Sequence, residues 1–573
     1  MSRHTRPAGE PCRTGESFRP RNMAASMYLV ENPVLQRELL VNLRTPRAFI
    51  LLLVYQALLA TVVYFAWPQE TRLDVTDNPT SARNLADLFF LGQYILASMM
   101  APSFAAGTIT GEKERKTYEL LLATPLRPAA IVLGKMIASL AHLAVLIFAS
   151  LPIIMLCLPL GGIHFSEMLA AYFALLMSVL MFGMIGVACS SYFKRTAASL
   201  VVSYLLILPL AMIGALLWRA LSDMGQFRLL LTLTVLPAFC IAICIALFVN
   251  TCIRLLHPPD VGSEGKEVVD LEQEAETAVG LVIQRDQFPD RLFAPAKRVT
   301  LMEDGANPVY DKEIRSEIFS QGTLMLRLVI QVSMLLAIPL MAVCLYIKPE
   351  YAPWYIGYVL IFNMLVGPVF CAGSITSERE RQTLDLLLTT VITPWQILWG
   401  KLIVGLRVSS VLTMFLLWPV LLACVMVSSY WVNLPSVGSY VGIVLLTCVT
   451  TSTIALFCSV VFRKTSISLM TSYLIIIVLF CVPLAVNFFA DEFFRQAEIT
   501  QDLKWLGASS PFAAAFAVPL DVDFTLSDAE RAAMGNWMLV LVYTLFTVAL
   551  DILLVFAMMW LFNSRWRVSG GAD

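Results

Sequence analysis

The hydropathy pattern is a series of long apolar runs separated by short polar breaks. About 20 apolar residues suffice to cross a bilayer as a helix. Twelve such runs are read here, centred near Leu58, Ala97, Phe148, Met177, Ile207, Ile241, Leu336, Leu365, Leu416, Thr450, Val478 and Leu550. Two of the breaks are unusual. Between the second and third runs lies "GTITGEKERKTYELLLATP", Gly107 to Pro125, with six charges between Glu112 and Glu119. A charge at the bilayer centre costs about 2.5–3.5 kcal/mol, so this stretch belongs at the membrane surface.

Between the eighth and ninth runs the chain repeats itself as "GSITSERERQTLDLLLTT". Ala105–Lys135 aligns without gaps to Cys371–Lys401 at an offset of 266, with 16 of 31 residues identical, far above chance. The repeat extends beyond the motif. "NPVLQRE" at Asn32 returns as "NPVYDKE" at Asn307, "FKRT" at Phe193 as "FRKT" at Phe462, and "SYL" at Ser203 returns at Ser472. Each half is therefore a short amphipathic piece followed by six runs. Six is even, so both halves start on the same side and relate as parallel repeats. The expected organisation is a basic arm (1–30), a first repeat (31–253), a charged linker (254–306), a second repeat (307–563) and a tail (564–573).

Asn32-Pro33 and Asn307-Pro308 read as helix starts, with Asn as N-cap and Pro at the first helical position. Leu35, Leu39 and Leu43, matched by Tyr310, Ile314 and Ile318, put an apolar stripe on each helix. The expectation is an elbow helix lying in the membrane interface. The alternative is a plain juxtamembrane turn. Within the motif, Ser377-x-x-Glu380 fits a capping box and Gly111 stands at the matching place. One short helix is expected in each copy, charged at its start and apolar at its end. It suits docking into a partner's groove; a solvated surface loop is the competing reading.

Composition agrees with a polytopic membrane protein: 58% hydrophobic and 14% charged residues, with mean hydropathy +0.76. The net charge of −1 gives no case for a nucleic-acid partner. Eleven of the twelve cysteines lie in or at the ends of apolar runs without a CxxC pair, as small packing residues. Four scattered histidines suggest no metal site. The arm holds five Arg in its first 22 positions but no apolar signal-peptide core. Lys and Arg gather on one side, at Arg37, Lys113, Arg115, Lys194, Arg254, Arg379 and Arg463 among others. Both termini and both motifs are thus expected to be cytoplasmic in a multi-pass cell membrane protein.

The two motifs, the elbow pieces, the six runs per half and the long last external segment (490–533) together resemble ATP-binding-cassette exporter permeases of the ABC-2 type. The resemblance covers nearly the whole chain. It implies that each motif is a coupling helix facing a separate ATPase subunit. Carried over residue by residue, Glu112, Lys113, Glu114, Arg115, Thr117, Glu119 and Leu120 would face the ATPase. So would Glu378, Arg379, Glu380, Arg381, Thr383, Asp385 and Leu386. Gly134/Lys135 and Gly400/Lys401 also match the family pattern. One departure is the fusion of two six-span units in one chain. No GxxxxGK[ST] occurs, so ATP and Mg would be bound by partner ATPase chains, two of them, and no cofactor by this chain.

The implied function is transport rather than catalysis: a permease subunit coupled to ATP hydrolysis elsewhere, acting on an unidentified substrate. A twelve-span secondary transporter and a non-transporting membrane anchor for an ATPase are the alternatives. Polar residues within the runs, Asp551, Asn363 and Gln93, are candidates for the translocation pathway. Hydrogen bonding between helices is the competing role for each.

Overall fold

In the computed structural model, all regular structure among the described residues is helical. These residues are 32–43, 79–155, 164–256, 307–315, 337–347, 351–493, 504–520 and 536–566, with short gaps at 125, 194–195, 222–224, 381, 428–429 and 432, plus scattered positions within 52–60 and 331–335. The arm, most of the linker, the tail beyond Trp566, Cys157 and Arg381 lie outside them.

The first half begins with α1 (Pro33–Leu43) and α2 (Pro79–Ala105). The motif supplies α3 (Thr110–Glu114) and α4 (Tyr118–Leu122). Then come α5 (Pro128–Met155), α6 (Phe165–Tyr192) and α7 (Thr196–Ala220). The half closes with α8 (Gly225–Leu230), a π-helical turn (Leu231–Val235) and α9 (Leu236–Leu256). The second half follows the same order. It runs α10 (Pro308–Arg315), α11 (Ala352–Cys371), α12 (Thr376–Glu380), α13 (Leu384–Leu388), α14 (Pro394–Met426) and α15 (Leu434–Val461). Next are α16 (Thr465–Ile476), a π-helical turn (Ile477–Cys481), α17 (Val482–Phe493), α18 (Pro511–Ala517) and α19 (Trp537–Trp566).

Among the described residues, ten helical segments are long and apolar enough to cross a membrane. They coincide with ten of the twelve runs. The runs near Leu58 and Leu336 fall largely outside the described residues, the second being seen only as the short apolar helix Ala337–Ile347. Of the external segment, residues 504–517 fold as a 3₁₀ turn (Lys504–Ser509) and α18, which buries Phe512, Ala514 and Ala515. They sit at the end opposite the motifs, where Ser436 at the start of α15 bonds the Pro519 carbonyl.

Inside each half a tyrosine, buried at Tyr204 and half-buried at Tyr473, ties α7 to α2 or α16 to α11. Tyr204 on α7 donates to the Met99 carbonyl (2.9 Å), and Tyr473 on α16 donates to the Leu365 carbonyl (2.6 Å). The halves meet where α7 packs on α11. At the motif end each half has its own small apolar core. One gathers Ile109, Tyr118, Val132, Met184 and Leu255; the other gathers Ile375, Leu384, Leu398, Leu456 and Phe562. Burying a side chain the size of Tyr118 or Leu384 stabilises by about 1.5–3 kcal/mol.

Small residues permit the close helix crossings, as is general within membranes. A Cβ on Gly186 of α6 would stand 2.7 Å from the Ala105 Cβ on α2, whereas one on Gly92 would meet nothing within 4 Å. Gly186→Val should therefore lower the thermal midpoint of the purified chain, by a destabilisation of about 1–3 kcal/mol. Gly92→Ala should leave it unchanged or raise it, since Ala is the better helix former by up to about 1 kcal/mol. A scan of both variants in the same detergent checks the contrast.

Candidate functional site

Each motif folds as two single helical turns rather than the one short helix expected. The break is a Schellman motif. Lys116 (φ 57°) and Gln382 (φ 58°) adopt the left-handed conformation usually given to glycine. Thr117 N–H reaches back to the Glu112 carbonyl (3.0 Å) and Lys116 N–H to Lys113 (3.2 Å). In the second copy Thr383 N–H bonds Glu378 (2.9 Å) and Gln382 N–H bonds Arg379 (3.1 Å). A left-handed non-glycine residue costs about 1–2 kcal/mol. Two features offset it: Thr117 and Thr383 hydroxyls bonded to the Glu112 and Glu378 carboxylates, and the burial of Tyr118 and Leu384 just beyond.

The capping expected from Gly111 and Ser377 is replaced by caps from another helix. Ser190 Oγ near the end of α6 accepts from the Ile109 and Thr110 N–H groups, both at 2.9 Å. Ser459 Oγ on α15 does the same for Ile375 (2.9 Å) and Thr376 (3.1 Å).

The charges that follow read the ends of neighbouring helices. Lys113 Nζ donates to the carbonyls of Ser191 (2.6 Å) and Phe193 (3.0 Å), where α6 ends. Arg379 donates to Phe462 (2.7 Å) and Val460 (3.3 Å), where α15 ends. The adjoining carboxylates do the converse. Glu114 accepts from Thr196 N–H (2.7 Å) at the start of α7, and Glu380 from Thr465 N–H (2.9 Å) at the start of α16. Helix C-termini leave carbonyls unsatisfied and favour cations; N-termini leave N–H groups and favour anions. One cation and one anion side by side therefore clamp each α6–α7 or α15–α16 turn.

The hub of each motif is a buried lysine two turns into the following helix. Lys135 and Lys401 are each only 3% exposed. Lys135 Nζ donates to the Thr108 carbonyl (2.9 Å) and pairs with Glu112 (3.3 Å) and with Glu38 of α1 (3.6 Å). Lys401 Nζ donates to the Ser374 carbonyl (2.8 Å) and pairs with Glu313 of α10 (2.6 Å) and Glu378 (3.6 Å). Asn32 and Asn307 add a second tie. Each caps its own helix through Oδ1, as expected. Each also donates from Nδ2 to the start of the next large helix, at the Ala130 (2.6 Å) or Gln396 (2.7 Å) carbonyl. A Cβ on Gly134 would stand 2.8 Å from Asn32 Nδ2, and one on Gly400 3.1 Å from Asn307 Nδ2, which is why glycine precedes each lysine.

These contacts correct the expectation that every polar residue of the motif faces a partner. Glu112, Lys113, Thr117, Glu378, Arg379 and Thr383 are held against the bundle, and Glu114 and Glu380 are bound to helix ends although exposed. Arg115, Glu119 and Leu120 remain outward, with Asp385 and Leu386 in the second copy. Leu120 is 70% exposed and Leu386 68%, while the leucines after them are half-buried. The residues missed from sequence are Glu38, Ser190, Thr196 and their copies Glu313, Ser459 and Thr465. All lie in or beside duplicated stretches, which was the available signal.

The three pathway candidates do not form one site. Asn363 is fully buried, donates to the Val444 carbonyl (3.2 Å) and accepts from Thr451 (3.4 Å), so it is an interhelical tie rather than a pore-lining group. Gln93 is buried on α2 of the other half, with neither amide atom within hydrogen-bond distance of a partner among the described residues. Asp551, midway along α19, has Oδ2 at 3.0 Å from the Thr450 hydroxyl and a buried Oδ1 without a partner among the described residues.

A family model described as ABC-2 family transporter protein matches residues 33–239 and again residues 296–564. The chain belongs to that family. No curated protein matches it. The two matched regions are two fused ABC-2 units, and each contains one of the lysine hubs.

The hub of this ABC-2 protein makes a testable demand. Lys135→Met or Lys401→Met should strand two carboxylates, which are partly solvated. The expected loss is about 1–3 kcal/mol each, below that for a fully buried pair. Adding Glu38→Gln and Glu112→Gln to Lys135→Met should recover part of the loss in thermal midpoint. Recovery separates lost charge pairing from lost packing.

Proposed function

We propose that this chain is the membrane permease subunit of an ATP-driven exporter, its two motifs serving as docking points for two separate ATPase subunits. In this reading twelve helices span the membrane as two parallel six-helix repeats. α1 and α10 are elbows in the interface, and both motifs and both termini are cytoplasmic. ATP and Mg²⁺ are handled by the partner chains.

The observation that carries the proposal is the division of each motif into a tied part and a presented part. The tied part fastens the motif to α1, α5, α6 and α7, or to α10, α14, α15 and α16. The presented part is a turn of helix with one exposed leucine beside one exposed acid, Glu119 with Leu120 and Asp385 with Leu386. A partner groove that takes the leucine pulls on a pre-assembled body rather than on a loop. When ATP closes the ATPases on each other, each six-helix unit is carried as a rigid body, and the pathway switches where the units meet. A secondary transporter has no use for two such fixtures.

The presented faces differ beyond the leucine. Ala129 and Leu133 of the first unit are Trp395 and Trp399 in the second, where the rings stack at 5.3 Å. The two ATPase contacts are therefore not interchangeable.

Leu120→Asp or Leu386→Asp should leave membrane insertion intact while the cognate ATPase fails to co-purify. Loss of one buried anchor of about 2 kcal/mol corresponds to roughly thirtyfold in Kd. Full retention of the ATPase by the double variant overturns the docking assignment. Transport that persists in vesicles depleted of ATP overturns the exporter reading in favour of a secondary carrier.

A further inference from the structure

The seam between α15 and α19 is built from hydroxyls. Tyr543 OH lies 2.9 Å from Thr447 Oγ1, and Thr447 Oγ1 is 2.7 Å from the Ile443 carbonyl. One turn along α15, Thr450 Oγ1 stands 3.0 Å from the Leu446 carbonyl and also 3.0 Å from Asp551 Oδ2. Thr453 Oγ1 is likewise engaged with the Val449 carbonyl (2.5 Å). These three threonines share one arrangement: each hydroxyl stands within hydrogen-bond distance of the carbonyl one turn back in its own helix, the bond such side chains commonly make inside helices.

That regularity constrains Asp551. A threonine hydroxyl has one proton. If Thr450 gives it to Leu446, as its neighbours do, it faces Asp551 with a lone pair. The hydrogen between them must then come from the carboxyl. The same direction holds one step away, where Tyr543 has a proton to give and the Thr447 proton belongs to Ile443. If the carboxyl were ionised, Thr450 would have to abandon its helix bond. Oδ1 would still be a buried anionic oxygen with no partner.

Among the described residues the surroundings show no counter-charge to Asp551. Tyr543 on α19 itself lies within electrostatic reach of it. α15 carries Tyr440 and two buried thiols, Cys458 and Cys448, the latter bonded to Ser409 of α14 at 3.3 Å. On α14, Lys401 is committed to Glu313 and Arg407 donates to Tyr310. Lys504 begins the 3₁₀ turn Lys504–Ser509. An ionised carboxylate left unpaired at mid-membrane is costly, and the usual resolution is to take up a proton.

We propose that Asp551 is a proton-binding site inside the membrane, its neutral carboxyl closing the α15–α19 seam by donating from Oδ2 to Thr450. Release transfers that proton to water and leaves a carboxylate that the closed seam cannot satisfy. The seam must then open or admit a cation. The site is therefore positioned to link a proton to movement of the last helix. α19 is peripheral, with Ile552, Leu553 and Phe556 exposed, so Asp551 is approached from the lipid side.

Lipid access supplies the experiment. The full-length chain in membranes is treated at neutral pH with a hydrophobic carbodiimide, which reacts with protonated carboxyls, and in parallel with a water-soluble carbodiimide. Peptide mass spectrometry should find an adduct at Asp551 with the hydrophobic reagent and little with the soluble one. Labelling should fall by about tenfold per pH unit once the medium passes the midpoint for proton release. Infrared difference spectra of wild type against Asp551→Asn should contain one protonated-carboxyl C=O stretch; the Asn variant keeps the shape of the neutral acid and guards against misfolding. Absence of both adduct and infrared band overturns the proposal. Protection of Asp551 by sodium ions also overturns it, in favour of a metal-cation site. Both readings are taken on the chain without nucleotide, so their failure is distinct from failure of the docking assignment.

Discussion

A buried ammonium held between carboxylates from two other elements is the interaction on which the motif end of this protein depends. Neither Lys135 nor Lys401 has a solvated alternative at 3% exposure, and a buried cation is tolerable only while paired and hydrogen-bonded. Its partners come from the amphipathic helix before each unit and from the motif between the second and third large helices. The motif, the helix that follows it and a third segment remote in sequence are thereby made into one object. Electrostatics here sets geometry more than stability. A hydrophobic replacement of the same volume would fill the space but would not fix the angle at which the motif meets the helix behind it.

The same logic accounts for the order of charges within the motif. A cation and an anion at adjacent positions reach the end of one helix and the start of the next, so their sequence order follows the chain direction across that turn. Reversing them would set like against like at both helix ends. The two copies keep this order while changing the chemistry. Where Lys113 offers a point charge, Arg379 offers a planar fork that reaches two carbonyls. Lys312 gives the second hub an additional partner for Glu378 at 3.0 Å.

Much of the architecture was legible in the sequence, and the reasons are physical. Ten of the long apolar runs are helices of spanning length, asparagine before proline starts a helix at both Asn32 and Asn307, and the family match covers both halves. The direction of the motif's charges was not legible. It turns on Lys116 and Gln382, whose left-handed backbone breaks each helix without the glycine that usually announces such a stop. Nor does a sequence show that a helix is capped from outside. Ser190 and Ser459 do for the motif what Ser377 looked placed to do locally. A charged residue near a membrane surface reads as solvated until the depth of its neighbours is known, and Lys135 is the clearest case. Among the span residues, Asn363 read equally well as a pore or packing residue, and only its two satisfied bonds decide.

The distribution of ties says where this protein can move. At the motif end every element of a unit is bound to the others through charge. Farther along, Tyr204 and Tyr473 direct their hydroxyls to carbonyls of their own unit, so sliding one unit past the other breaks neither bond. Among the described residues the units meet at a helix pair, α7 on α11. In the proposed reading, displacement applied at Leu120 and Leu386 would pass through the hubs and be taken up at that packed seam, which no charge pair fixes as the hubs are fixed.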